Sequence, residues 1–92
     1  MVVKLIINKQ YIMERQVRLG MYRVLRRVGV DRDSIYPEAS FKNDLFFDEI
    51  DWQCFLCYVE ERFNIILNDD EIRQLATVGN TIDLVNKHLS LN

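Results

Sequence analysis

Apolar residues that recur with the period of an α-helix are the feature that most restricts how this chain can fold. Within residues 52–63 they stand at i, i+3, i+4, i+7 and i+11, which places them on one face of a helix. Similar stripes run through residues 17–28 and residues 78–89. Strict alternation, the signal of a half-buried strand, is weak. The pattern therefore predicts an all-α fold.

Capping signals set the ends of the first two predicted helices. Gly29 follows the first stripe and is a natural C-terminal cap. Asp48 precedes the second stripe, and Asp51 three residues later completes a shortened capping box. The connection between them, from Asp31 to about Phe47, is long for a small helical domain. We expect it to be partly buried, because it carries three large apolar residues: Phe41, Leu45 and Phe47.

Two further helices are predicted after the second stripe. Asn68 and Glu71 form a capping signature for a short third helix that ends at about Leu75. Thr77 can cap a fourth helix. The expected architecture is a four-helix bundle with a long connection between helices one and two and a short third helix.

Length and composition allow one globular domain. The chain has 92 residues, of which 49% are hydrophobic and 28% charged, so it can bury a core without disulfides or a structural metal. Lys4 interrupts the apolar run "VVKLII", and no small-residue cleavage site follows it. We therefore expect neither a signal peptide nor a membrane span, and the cytoplasm is the expected location. We divide the chain into an N-terminal extension at residues 1–11 and a domain at residues 12–92. The extension could continue the first helix, form a separate turn or be a flexible arm.

The charges are divided between the two halves of the chain. Through Ile35 there are 8 positive and 3 negative residues, giving +5, and the remainder has 4 positive and 11 negative residues, giving −7. The basic first helix could attract an anionic membrane or RNA, but the acidic second half would repel the same polyanion. The basic helix could also meet the acidic helix of another copy, although a monomer is favoured. The arginines concerned are Arg15, Arg18, Arg23, Arg26 and Arg27.

Several short motifs occur in an order and spacing that resemble the acyl carrier protein family. They are "PEASF" followed by "DL", "EERFNI" at the end of helix two, "NDDE" before helix three and "TVGNTIDLV" in helix four. The resemblance runs from helix one to the C-terminus. It implies the four-helix carrier fold, in which an Asp-Ser-Leu motif precedes helix two and the serine carries phosphopantetheine.

The motif departs from the family where the prosthetic group would be attached. Asp48 matches the family's Asp, Ile50 stands for its Leu, and Glu49 occupies the position of the Ser. A carboxylate cannot replace the hydroxyl, so we expect no phosphopantetheine and no other cofactor. Phe46 also departs, since family members often have a small residue there. A carboxylate at the first helical residue has a structural use as well, because it faces the positive end of the helix dipole.

The resemblance implies a docking role in place of a carrier or catalytic role. Family partners approach the outer face of helix two, which puts forward Asp48, Glu49, Gln53, Cys57 and Glu60 as candidate contacts for a partner with a basic surface. The expected function is a non-enzymatic interaction or regulatory module linked to acyl, fatty-acid or related carrier-dependent biosynthesis. The alternative is a working carrier modified by an unseen route.

The remaining chemistry-bearing residues have simpler interpretations. Cys54 and Cys57 have C-x-x-C spacing, but they lie in mid-helix and lack a second pair, so neither redox nor metal chemistry is expected. His88 is expected to be exposed near a helix end. The resemblance leaves one alternative open for the aromatic residues, a core cavity that binds a free fatty acid, but we expect six of them simply to fill the core: Phe41, Phe46, Phe47, Trp52, Phe55 and Phe63.

Overall fold

The computed structural model describes residues 2–90, with side-chain surroundings for residues 10–90. Met1, in the predicted extension, and Leu91 and Asn92, in the predicted domain, lie outside the described residues. The described residues form no β-strand, so the predicted all-α class is confirmed. No helix among them is both long and apolar enough to cross a membrane. The chain forms a small helical bundle with four α-helices in its described part: α1 (Val2–Val28), α2 (Glu49–Phe63), α3 (Asp69–Arg73) and α4 (Val78–Ser90).

The first helix, α1, has 27 residues and continues without interruption through residues 2–11. It ends at the predicted glycine. Gly29 has φ of +108°, its N–H donates to the Arg26 carbonyl at 3.0 Å, and the Val30 N–H donates to the Leu25 carbonyl at 3.0 Å. These two bonds form a Schellman motif, which favours glycine at this left-handed position.

The core lies where α1 packs against α2 and α4. Full burial of one large apolar side chain contributes about 1.5–3 kcal/mol, so the side chains buried between these helices contribute much of the stability of the fold. Gly20 lets the two longest helices approach closely, because a Cβ at this position would lie 2.8 Å from the Phe63 ring. The largest fully buried residues are Val17, Met21, Leu25, Phe55, Val59, Val78, Thr81 and Val85.

The long connection between α1 and α2 is tied to the start of α4. The Phe41 N–H donates to the Ala76 carbonyl, and the Val78 N–H donates to the Ala39 carbonyl, both at 3.0 Å. Ala39 and Phe41 are buried, which confirms the expectation of a partly buried connection. A short 3₁₀ turn at Arg32–Ser34, which the sequence analysis did not predict, begins the connection.

Two sequence-based expectations are wrong in detail. The third helix ends at Arg73 and not at about Leu75, because the Gln74 and Leu75 N–H groups bond three residues back and tighten the last turn. Phe46 does not fill the core: 76% of its surface is exposed, and its left-handed backbone, with φ of +54°, forms part of the surface turn into α2.

Candidate functional site

The start of α2 is fixed by a reciprocal capping box. The Asp48 carboxylate accepts from the Asp51 N–H at 2.8 Å, and the Asp51 carboxylate accepts from the Asp48 N–H at 3.2 Å. Asp48 is therefore the N-cap, and Glu49 is the first residue of the helix with its side chain exposed. Unpaired amides and the positive end of the helix dipole surround this position, and they favour a negative charge.

Two large exposed apolar residues lie before and after the Asp48–Glu49 pair in the sequence. Phe46 is 76% exposed and Ile50 is 74% exposed. The side chains of Asp44, Asp48 and Glu49 are exposed beside them in the chain. Phe46 also has φ of +54°, a conformation that costs most residues other than glycine about 1–2 kcal/mol. The prediction that Phe46 fills the core is therefore wrong, and no pattern in the sequence indicated this exposed patch.

The outward face of α2 continues the candidate site through Gln53 and Cys57, whose side chains are both exposed. Glu60 differs from them. It is half-buried, and its carboxylate accepts from the Leu67 N–H at 2.8 Å. This bond holds the connection from α2 to α3, so Glu60 has a structural role that the sequence spacing did not reveal.

A cleft of about 730 Å³ opens beside Glu49, between the first connection, the start of α2 and the end of α3. Phe41, at its inner wall, contacts Trp52 with ring centroids 5.0 Å apart and Phe55 with centroids 4.9 Å apart. Leu75 lines the cleft beyond α3. The cleft is largely apolar inside, and Asp48 and Glu49 are at its rim. Such a groove suits an apolar group whose polar end remains at the surface.

No serine is placed to replace the missing hydroxyl at the start of α2. The Ser40 hydroxyl accepts from the Asn43 N–H at 3.1 Å, and the Ser40 backbone N–H donates to the Asp44 carboxylate at 2.8 Å. These bonds close the local turn of the "PEASF" segment. Ser34 lies in the 3₁₀ turn, and Ser90 is the last residue of α4.

The two cysteines are free thiols, with Cys54 half-buried and Cys57 exposed. They lie in the middle of α2, away from the amides of its first turn. Among the residues that the structure describes, no cluster of three or more histidine, cysteine or acidic side chains could hold a metal ion.

His88 is placed differently from the sequence expectation. It is half-buried, and its Nε2 lies 2.9 Å from the Glu71 carboxylate, which also accepts from the Asn68 N–H at 3.0 Å. The Asn68 amide, and after it His88, lower the pKa of Glu71 below its ordinary value. The pair joins the start of α3 to the last turn of α4. A separation of 17 residues gave no local signal for it.

A comparison of the chain with models of known protein families finds no match.

Proposed function

We propose that this chain is a carrier-like interaction module, similar to an acyl carrier protein, that lacks the prosthetic group and acts by binding a protein partner. Its partner carries a basic surface of the kind that docks on acyl carrier proteins. The module has no catalytic role of its own and regulates or assembles a carrier-dependent process in acyl or fatty-acid biosynthesis.

The position of Glu49 is the observation that carries this proposal. In the family that the sequence resembles, the serine that bears phosphopantetheine is the residue after the Asp at the start of helix two. Here Asp48 is the N-cap, and Glu49 is the exposed first residue of α2. The long first connection and the short α3 agree with the same architecture. The chain thus presents a fixed negative charge where the family presents a phosphate.

The proposed contact extends from Glu49 along α2 to Gln53 and Cys57. Both side chains are exposed on the outward face, and Asp48 adds a second negative charge at the helix start. A basic partner surface would gain Coulomb attraction from these carboxylates, and the attraction would fall with added salt. Glu60 contributes to this surface only indirectly, because its carboxylate holds the Leu67 amide.

The first test is the intact mass after incubation with coenzyme A and a broad-specificity phosphopantetheinyl transferase. We expect no phosphopantetheine adduct on the natural chain and one adduct on a Glu49→Ser variant, mapped to residue 49. An adduct on the natural chain would show a working carrier. Failure of both proteins to react would remove the evidence that a carrier-docking surface persists.

A second test measures how well the natural chain docks on the transferase when it cannot itself be modified. The natural chain is added as a competitor while the transferase modifies the Glu49→Ser variant, and we expect it to raise the apparent KM. A Gln53→Lys competitor should inhibit less, because it places a positive charge on the outward face of α2. Gln74→Lys is the matched control, since it makes the same change at the exposed end of α3. Equal inhibition by both variants would place docking elsewhere.

The charge at residue 49 is tested separately with Glu49→Gln, which keeps the shape of the side chain. We expect weaker competition than with the natural chain, and the difference should be largest at low salt. Equal competition at every salt concentration would leave Glu49 with only its favourable interaction with the helix dipole.

A further inference from the structure

Two apolar residues on the outward side of α1 remain about half exposed in the described part of the bundle, and one of them, Leu19, also lines a cleft beside Phe63. Ile12 is 51% exposed and Leu19 is 46% exposed. They stand at i and i+7, so they lie on the same face two turns apart, and that face is opposite the buried Val17 and Val24. Exposed arginines flank the pair: Arg15, Arg18, Arg23 and Arg26. We refer to Ile12, Leu19 and these arginines as the α1 stripe.

A second uncovered apolar pair lies at the start of α2, in an acidic setting. It consists of Phe46 and Ile50, with the carboxylates of Asp44, Asp48 and Glu49 beside them, and we refer to these five residues as the α2 patch. Phe46 adopts φ of +54°, where glycine would be strained less and would expose no apolar surface. The strained backbone of Phe46 and its exposed ring together mark this position as a candidate for contact with another surface.

The chain already joins these two kinds of surface within one molecule. The Arg27 guanidinium on α1 lies 4.0 Å from the centroid of the Tyr58 ring on α2, and it lies 3.9 Å from the Glu61 carboxylate. An arginine of α1 therefore contacts an aromatic ring and a carboxylate of α2 together. The α1 stripe and the α2 patch carry the same chemistry, but among the described residues no ion pair or ring contact joins one to the other.

We propose that the α1 stripe of one copy binds the α2 patch of a second copy. Phe46 and Ile50 pack beside Ile12 and Leu19, and the flanking arginines face the carboxylates around residue 49. In a two-fold dimer the stripe of each copy meets the patch of the other, so the same contact occurs twice and closes the assembly at two copies. Apolar contact provides the affinity, and the opposite charges fix the orientation and speed the encounter. This inference does not depend on the resemblance to carrier proteins.

Sedimentation of the full chain over a concentration series, at low and high salt, is the first test. We expect a mass above the 11.0 kDa of one chain, approaching twice that value with concentration, and weaker association at high salt. A monomer under all conditions would overturn the proposal. The proposed carrier-like function would survive that result, because it depends on the transferase experiments.

Two variants then identify the surfaces. Phe46→Gly removes the ring and suits the left-handed backbone, and Leu19→Gln removes the apolar centre of the α1 stripe while keeping a good helix former. Each variant alone should associate at least tenfold more weakly than the natural chain. Ile66→Gln is the matched control: Ile66 is 84% exposed, lies between α2 and α3, and belongs to neither surface. Association of this control should be unchanged.

Mixing the two variants gives the decisive result. Phe46→Gly retains an intact α1 stripe and Leu19→Gln retains an intact α2 patch, so an equimolar mixture should form a one-to-one pair that neither variant forms alone. If Phe46→Gly alone associates as strongly as the natural chain, the contact joins α1 to α1. If Leu19→Gln does so, it joins α2 to α2. Either of these results, or a mixture that stays monomeric, overturns the proposed contact.

Discussion

Helices α2 and α3 begin with the same local device, yet the surroundings of the two helix starts differ. Each has a reciprocal capping box, Asp48 with Asp51 and Asn68 with Glu71. At α3 the Glu71 carboxylate also reaches His88 on α4. At α2 both carboxylates of the box are used locally, and the adjoining apolar residues are exposed.

The difference separates a helix start that is linked to another helix from one whose outer surface is exposed. The start of α3 is held by a side chain from another helix, so a change there should affect the stability of the whole bundle. The start of α2 holds its own shape through the capping box and leaves its outer surface available. A rigid element with a free surface is a suitable base for recognition.

The largest expected effect is the loss of the α3 link. Glu71→Ala removes the acceptor for the Asn68 N–H and the partner of His88, and we expect the free energy of unfolding to fall by about 2 kcal/mol. Asp51→Ala, the equivalent change at α2, should cost about 0.5–1 kcal/mol, since it breaks only a local bond. Urea denaturation of both variants measures the two values. Equal losses would remove the distinction between the helix starts.

The next effect has the opposite sign and concerns the α2 start. Phe46→Gly should raise the free energy of unfolding of the monomer by about 1 kcal/mol, because glycine adopts φ of +54° without strain. Asn64→Gly is the matched control, as Asn64 has the same φ but tolerates it better. Its gain should be smaller. A loss of stability in dilute Phe46→Gly would show that the ring supports the fold.

A pH titration sharpens the comparison further. The folded-state pKa of Glu71 is lowered by the Asn68 amide and by His88, so its charged form stabilises the fold. This contribution is fully present above the ordinary glutamate value of 4.5 and is lost as the pH falls through the lowered pKa. Stability measured by urea denaturation should therefore decrease on acidification over that window.

The variants His88→Ala and Glu71→Gln separate this contribution from general acid unfolding. His88→Ala removes one cause of the lowered pKa, so its stability should decrease less steeply over the same window. Glu71→Gln cannot titrate and should lack this part of the decrease altogether. Identical pH profiles for all three proteins would show that the pair does not link α3 to α4 in solution.

The smallest effect is expected at Ile50. Its side chain is exposed, so Ile50→Ser should change the free energy of unfolding by no more than about 0.5 kcal/mol. Ile72→Ser in α3 should cost clearly more, because Ile72 packs against the core. Thermal or urea unfolding of dilute samples makes the comparison. A large loss at Ile50 would mean that the α2 patch supports the fold of the single chain.

Features that depend on a few neighbouring residues could be predicted from the sequence. Gly29 ends α1, Asp48 and Asn68 each start a helix, and the buried stripes follow the helical period, because all of these signals lie within one or two turns. The position of Glu49 at the start of α2 follows from the Asp48 cap in the same way.

The missed features depend on where distant segments meet. Nothing near Glu60 or His88 in the sequence indicates that their partners are Leu67 and Glu71. Phe46 was misplaced for a related reason: hydrophobicity predicts burial on average, and only the backbone of the turn shows that this ring is exposed. Recognition that Phe46 lies on the surface at the start of α2 therefore required the structure.

The two hydrogen bonds between the first connection and the start of α4 also bear on the order in which the chain folds. The residues that they join, Ala39 with Val78 and Phe41 with Ala76, are far apart in sequence, whereas the helices themselves form from local contacts. Closure of so long a loop carries an entropy cost that local helix formation does not. We therefore expect the helices to form early and these two bonds to form late. During synthesis, neither bond can form until Ala76 and Val78 have emerged from the ribosome.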